Sequence, residues 1–125
     1  MRAVVIGCGR VGSAVALQLS AEGWDVTAVD ESEEVLARLG SNWKGGFVVG
    51  HAMETDVLVR AGIESADAAV VATSGDNTNI VIGQVVQKRY GIACVVVRVL
   101  DPRRAEFFAS GGGEHRRTRG AGCVG

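Results

Sequence analysis

The sequence predicts a doubly wound α/β domain, a parallel sheet of five or six strands with helices on both faces. Five short apolar runs, rich in valine, recur at 3–6, 26–29, 47–49, 68–72 and 94–99. They are apolar on consecutive residues, as strands covered on both faces must be. Helical segments with readable ends separate them, and such alternation winds into a parallel sheet with right-handed crossovers.

Taken in order, the first run leads through a glycine cluster into a small-residue helix, 12–22, that closes at Gly23. After the second run, Ser32 caps a segment with Glu33 and Glu34 in its first turn, where carboxylates favour the helix dipole, and Gly40 stops it. The third run precedes a helix over 54–61 that stops at Gly62, and the fourth precedes one over 77–90 that stops at Gly91. Asp76 or Asn77 is the plausible cap of that last helix. Beyond the fifth run, Asp101 followed by Pro102 starts a further helix, running to about Ser110. The final stretch, GGGEHRRTRGAGCVG, holds six glycines and three arginines and reads as a flexible tail. The expected organisation is one domain over 1–110 and a tail over 111–125.

Bulk properties bound the function. A chain of 125 residues supports one core. Its composition, 47% hydrophobic and 22% charged, is that of a globular protein. Thirteen basic residues against fourteen acidic ones give a net charge of −1, which offers no argument for nucleic acid or an anionic membrane. No apolar run approaches the ~20 residues that span a bilayer, and the chain opens on a strand rather than a signal peptide. Three cysteines without metal-ligand spacing suit a reducing, cytoplasmic setting, with Cys8 and Cys94 as small buried thiols.

The chemistry lies where strands end. Gly7, Gly9 and Gly12 form Gly-x-Gly-x-x-Gly between the first strand and the first helix. Gly7 permits the tight turn, Gly9 lets backbone approach a pyrophosphate, and Gly12 lets helix and strand pack closely. Free N–H groups at the helix start attract the anion. Asp30 ends the second strand eighteen residues after Gly12, where a carboxylate accepts hydrogen bonds from ribose hydroxyls and repels a 2′-phosphate. NADP is therefore disfavoured, while NAD and ATP or ADP stay undistinguished. Arg10, inside the loop, is placed to reach phosphates. Thr73 and Ser74 follow the fourth strand near the point where strand order reverses. Arg98 interrupts an apolar strand, so its charge must reach an anion, an interface or solvent.

The blocks VVIGCGRVGSAVALQL, VTAVDESEEVL, LVRAGIESADAAVVATSGDNTNIV and VVVRVLDPRRAEFFA together resemble the N-terminal RCK or KTN domain of Trk-type potassium-uptake regulators, over roughly residues 1–110. The resemblance implies a Rossmann-like fold and a cytoplasmic, peripheral subunit. Such a subunit binds NAD(H) or an adenine nucleotide, pairs with copies of itself as a homodimer or larger ring, and gates a membrane potassium transporter. Carried over by position, Gly7, Cys8, Gly9, Arg10, Val11 and Gly12 cradle phosphates, and Asp30 with Glu31 holds the ribose. His51 and Ala52 follow the third strand, while Thr73, Ser74 and Arg98 complete the pocket. Arg10 matches the loop arginine that in ATP-binding relatives reaches the neighbouring subunit's nucleotide. This chain reads Gly50-His51-Ala52 where the family usually has Gly-Asp-Ala, replacing a carboxylate with an imidazole. The family's sixth strand is not visible in the tail, and the sequence gives no expectation of a C-terminal ligand-binding domain.

The leading expectation is a nucleotide-sensing binding module that is not an enzyme. The rival is a small NAD-dependent oxidoreductase, which needs an acid or base near the nicotinamide and a substrate subsite. An unrelated nucleotide-binding role also stays open. No catalytic or metal-binding residues are assigned.

Overall fold

The computed structural model describes residues 1–99; the helix expected over 101–110, the tail and the domain boundary at 110 lie outside the described residues. Five parallel strands form one sheet in the order β3-β2-β1-β4-β5. They are β1 (Arg2–Ile6), β2 (Asp25–Asp30), β3 (Gly46–Val49), β4 (Ala68–Val71) and β5 (Cys94–Val97). The helices are α1 (Arg10–Ala21), α2 (Leu36–Leu39), α3 (Thr55–Arg60) and α4 (Asp76–Tyr90), with short 3₁₀ turns at Glu33–Val35 and Ile63–Ser65. The doubly wound parallel fold is as the sequence predicts.

Alternation along each strand divides the core in two. Ala3, Val5, Val26, Ala28 and Val70 face α1 and α2, packing against Ala16, Leu19 and Leu39. Val4, Ile6, Val29, Val71 and Val95 face α3 and α4, packing against Val57, Leu58, Ile82 and Val86. Every residue of β4, and all of β1 but Arg2, is buried, because these strands lie inside the sheet and carry helices on both faces. The expectation of two-sided cover fails at the edge strand β3, which is only half-covered and leaves Val49 exposed.

Helix ends follow the local chemistry. Ser32 caps the 3₁₀ turn before α2, its hydroxyl accepting from the Glu34 N–H at 3.3 Å. Gly23, Gly40, Gly62 and Gly91 all stand at positive φ beyond helix or turn ends, where a side chain would be strained. The expected cap of α4 needs correction. Gly75 occupies that position without a side-chain cap, and Asp76 begins the helix as the acidic residue of its first turn. At the amino edge of the sheet, the Arg2 guanidinium donates to Asp25 and Ser65 while its N–H donates to Asp67, tying three segments together. The candidate site lies at the opposite, carboxyl edge.

Candidate functional site: a cleft at the carboxyl edge of the sheet

A cleft of about 620 Å³ opens at the carboxyl ends of the strands, where the neighbouring strands β1 and β4 lead to opposite sides of the sheet and strand order reverses. Ligands bind there in sheets of this kind. The loop from β1 to α1 forms its floor. Gly7 stands at φ +89°, and its N–H donates to the Val29 carbonyl at 2.8 Å. A Cβ on Gly7 would fall 2.7 Å from the Thr73 nitrogen, and one on Gly12 would fall within bonding distance of the Gly7 carbonyl oxygen. Glycine at both positions is therefore a packing requirement. Gly9 differs: a Cβ there meets nothing within 4 Å, so this glycine keeps cleft space open.

Asp30 holds the loop from the side. One carboxylate oxygen accepts from the Cys8 N–H at 2.7 Å and the other from the Ser32 N–H at 3.0 Å. Each oxygen retains acceptor capacity toward the cleft. The Cys8 side chain turns the other way, into the core, where it is fully buried. Burial first, and the Asp30 charge second, push its thiol up from 9.0 to about 12, against a smaller opposing hydrogen bond with the Val29 backbone. A thiol held in its neutral form is a poor nucleophile. Cys94 is buried as well, with its sulfur engaged rather than free.

The remaining predicted residues converge on the same space. Arg10 and Val11 line it from the start of α1, Glu31 from the end of β2, and His51 and Ala52 from beyond β3. Thr73 and Ser74 line it from beyond β4, and Arg98 from just past β5. Cys8 and Gly12 alone of the predicted set do not line it; the one contributes its N–H to Asp30 and the other a close packing contact. His51 is exposed, and its Nδ1 accepts from the Met53 N–H at 3.1 Å, which places the proton of the neutral ring on Nε2. Among the described residues Arg10, Arg38 and Arg98 form no ion pair; the pairs present are Arg2–Asp25 and Asp56–Arg60. The cleft thus offers a carboxylate pair, Asp30 and Glu31, and three guanidinium groups.

Three participants escape a reading by motif. Arg38 and Val35 line the cleft from the segment after β2. Their i, i+3 spacing, which places them on one helical face, was the available signal. Asn79 is fully buried, and lies on the apolar stripe of α4 with Ile82 and Val86, which is where a polar residue stands out. Its side-chain oxygen accepts from the Thr73 N–H at 2.8 Å and from the Thr73 hydroxyl, while its nitrogen donates to the carbonyls of Thr73 at 3.0 Å and Arg98 at 2.9 Å.

The TrkA-N domain family matches residues 3–115. A Trk system potassium uptake protein TrkA from Streptomyces coelicolor is 43% identical over 108 residues, covering 86% of this chain and 48% of that protein. This chain thus spans about half that relative's length. Among solved structures, the AMP-bound Kef C-terminal domain of Shewanella denitrificans superposes with a TM-score of 0.76 at 25% identity, covering 89% of this chain and 67% of that one. The TrkA-N domain of the Escherichia coli inner membrane protein ybaL gives a TM-score of 0.78 at 18% identity, covering 94% and 91%, a likeness of fold. No helix among the described residues is long and apolar enough to cross a membrane. With its sheet order, glycine loop and cleft, the chain belongs to the TrkA-N domain family.

Proposed function

We propose that this domain is the nucleotide-binding module of a potassium-uptake regulator, holding NAD(H) or ATP/ADP in the cleft and passing its occupancy to a membrane potassium transporter. One observation carries the reading: the open floor at Gly9, the Asp30 carboxylate and the guanidinium of Arg10, which has no ion pair among the described residues, line one cleft. In that arrangement the phosphates lie on the loop N–H groups and the ribose hydroxyls donate to Asp30. Asp30 and Glu31 together repel a 2′-phosphate, which disfavours NADP. The name of the Streptomyces relative and the AMP of the Kef domain support the same reading.

The role is binding rather than catalysis. The module sits at the inner face of the membrane without entering it, and works as a homodimer or larger ring. A nucleotide that binds one arrangement of the assembly more tightly shifts the population toward it, by the difference in affinity. A thermal-shift panel of ATP, ADP, NAD+, NADH and NADPH tests the binding claim, because a ligand confined to the folded state raises its melting temperature. At least one of the first four should raise it by several degrees, with NADPH weakest. Asp30→Ala should weaken binding by the ~1–3 kcal/mol typical of hydrogen bonds to a charged group, and narrow the gap to NADPH. Steady NADH oxidation with a small substrate would contradict the regulatory reading.

A further inference from the structure

Arg98 lines the cleft half-buried, without a carboxylate partner among the described residues. Among the described residues its guanidinium makes one hydrogen bond, Nη1 donating to the Thr73 carbonyl at 3.0 Å. That carbonyl is itself held by the Asn79 side-chain nitrogen, which also holds the Arg98 carbonyl. The Thr73 N–H and hydroxyl both point at the Asn79 oxygen. All four hydrogen-bonding positions of this one amide are therefore filled, at complete burial. No other residue type of this size offers two acceptor and two donor positions together.

We infer that Asn79 is a positioning residue for the anionic part of the ligand, acting through Arg98. It joins the end of β4 to the end of β5 and sets the carbonyl on which the guanidinium rests. The remaining Arg98 donors then face the cleft as a fixed fork, the geometry that suits a phosphate. The Thr73 hydroxyl, engaged by Asn79, belongs to this scaffold, and the exposed hydroxyls of Ser74 and Thr78 are those left to meet a ligand. The inference rests on the nucleotide reading above and deepens it. It assigns recognition of phosphate, as distinct from adenosine, to an amide that touches no ligand.

A double-mutant cycle on ADP and adenosine binding, read by calorimetry, tests it. Arg98→Ala should weaken ADP about tenfold, as loss of a charged hydrogen bond does. Asn79→Asp keeps the acceptor but turns both donations into repulsions and draws the guanidinium to itself, so it should weaken ADP to a similar degree. The double variant should bind ADP no more weakly than Arg98→Ala alone, and adenosine affinity should stay within about twofold throughout. Additive losses, or equal losses for ADP and adenosine, would mark Asn79 as general scaffolding and overturn the inference. If Asn79→Asp does not fold, Asn79→Ser, small and uncharged, carries the same cycle under the same criterion. A wild-type protein that binds neither ADP nor adenosine would remove the nucleotide reading itself, and the inference with it.

Discussion

Two glycines three residues apart, one capping α1 and one in its first turn, should respond to the same substitution in opposite ways. Gly12→Ala places a methyl against the Gly7 carbonyl, a backbone atom that cannot swing aside, so stability should fall by the upper end of the ~1–3 kcal/mol of overpacking, or more. Gly9→Ala places its methyl in open space at φ −72°, so the fold should persist while nucleotide affinity drops at least about tenfold. Urea denaturation and calorimetry separate the two effects. Cys8 supplies a pH signature at the same scale. Below pH 9 its thiol is protonated in both states; between 9 and about 12 the unfolded chain releases a proton that the folded chain retains. Stability should therefore fall as pH rises through that window. Cys8→Ala should fall less steeply between pH 8 and 10.5, and identical slopes would contradict the burial of this thiol.

At the scale of elements, most of the fold was legible because each boundary carries its own chemistry. Gly23, Gly40, Gly62 and Gly91 mark ends that need positive φ, and Ser32 caps the segment it was expected to cap. Ser32→Ala should cost about 1 kcal/mol in a melting experiment, the usual loss for such a cap. The start of α4 was misread because Asp76 and Asn77 both suit a cap, and the choice of Gly75 depends on how the Thr73 loop is held. Asn79 was missed for a related reason. Its role comes from Thr73 and Arg98, six and nineteen residues away, and no local pattern records that meeting. The glycine loop was readable because the turn fixes its spacing, and Asp30 because it ends the strand that follows the first helix. Gly50 joins the cleft through packing after β3, which spacing along the chain does not encode, and the spacing of Val35 and Arg38 marks a shared helical face without saying what that face lines.

For the whole molecule, the proposed assembly gives Arg10 a separate test. It lines the cleft at the start of α1 and is exposed, so it is available to a nucleotide shared with a second copy. Light scattering with and without ATP should show a dimer or larger species. Arg10→Ala should reduce the nucleotide's effect on assembly more than its binding, because the population shift depends on differential affinity. A strict monomer at every concentration would contradict the assembly.

The central claim, that a nucleotide occupies the carboxyl-edge cleft, is tested most directly by following backbone amide resonances during an ADP titration. Cys8 and Ser32 donate to Asp30, and Thr73 is held at the opposite wall, so these amides report the cleft from two sides. Arg2, Asp25 and Asp67 mark the amino edge of the same sheet. The account predicts saturable shifts concentrated at residues 7–12, 30–32 and 73–75, with the amino edge unmoved. No saturable shifts, or shifts clustered at Arg2, Asp25 and Asp67, would contradict it.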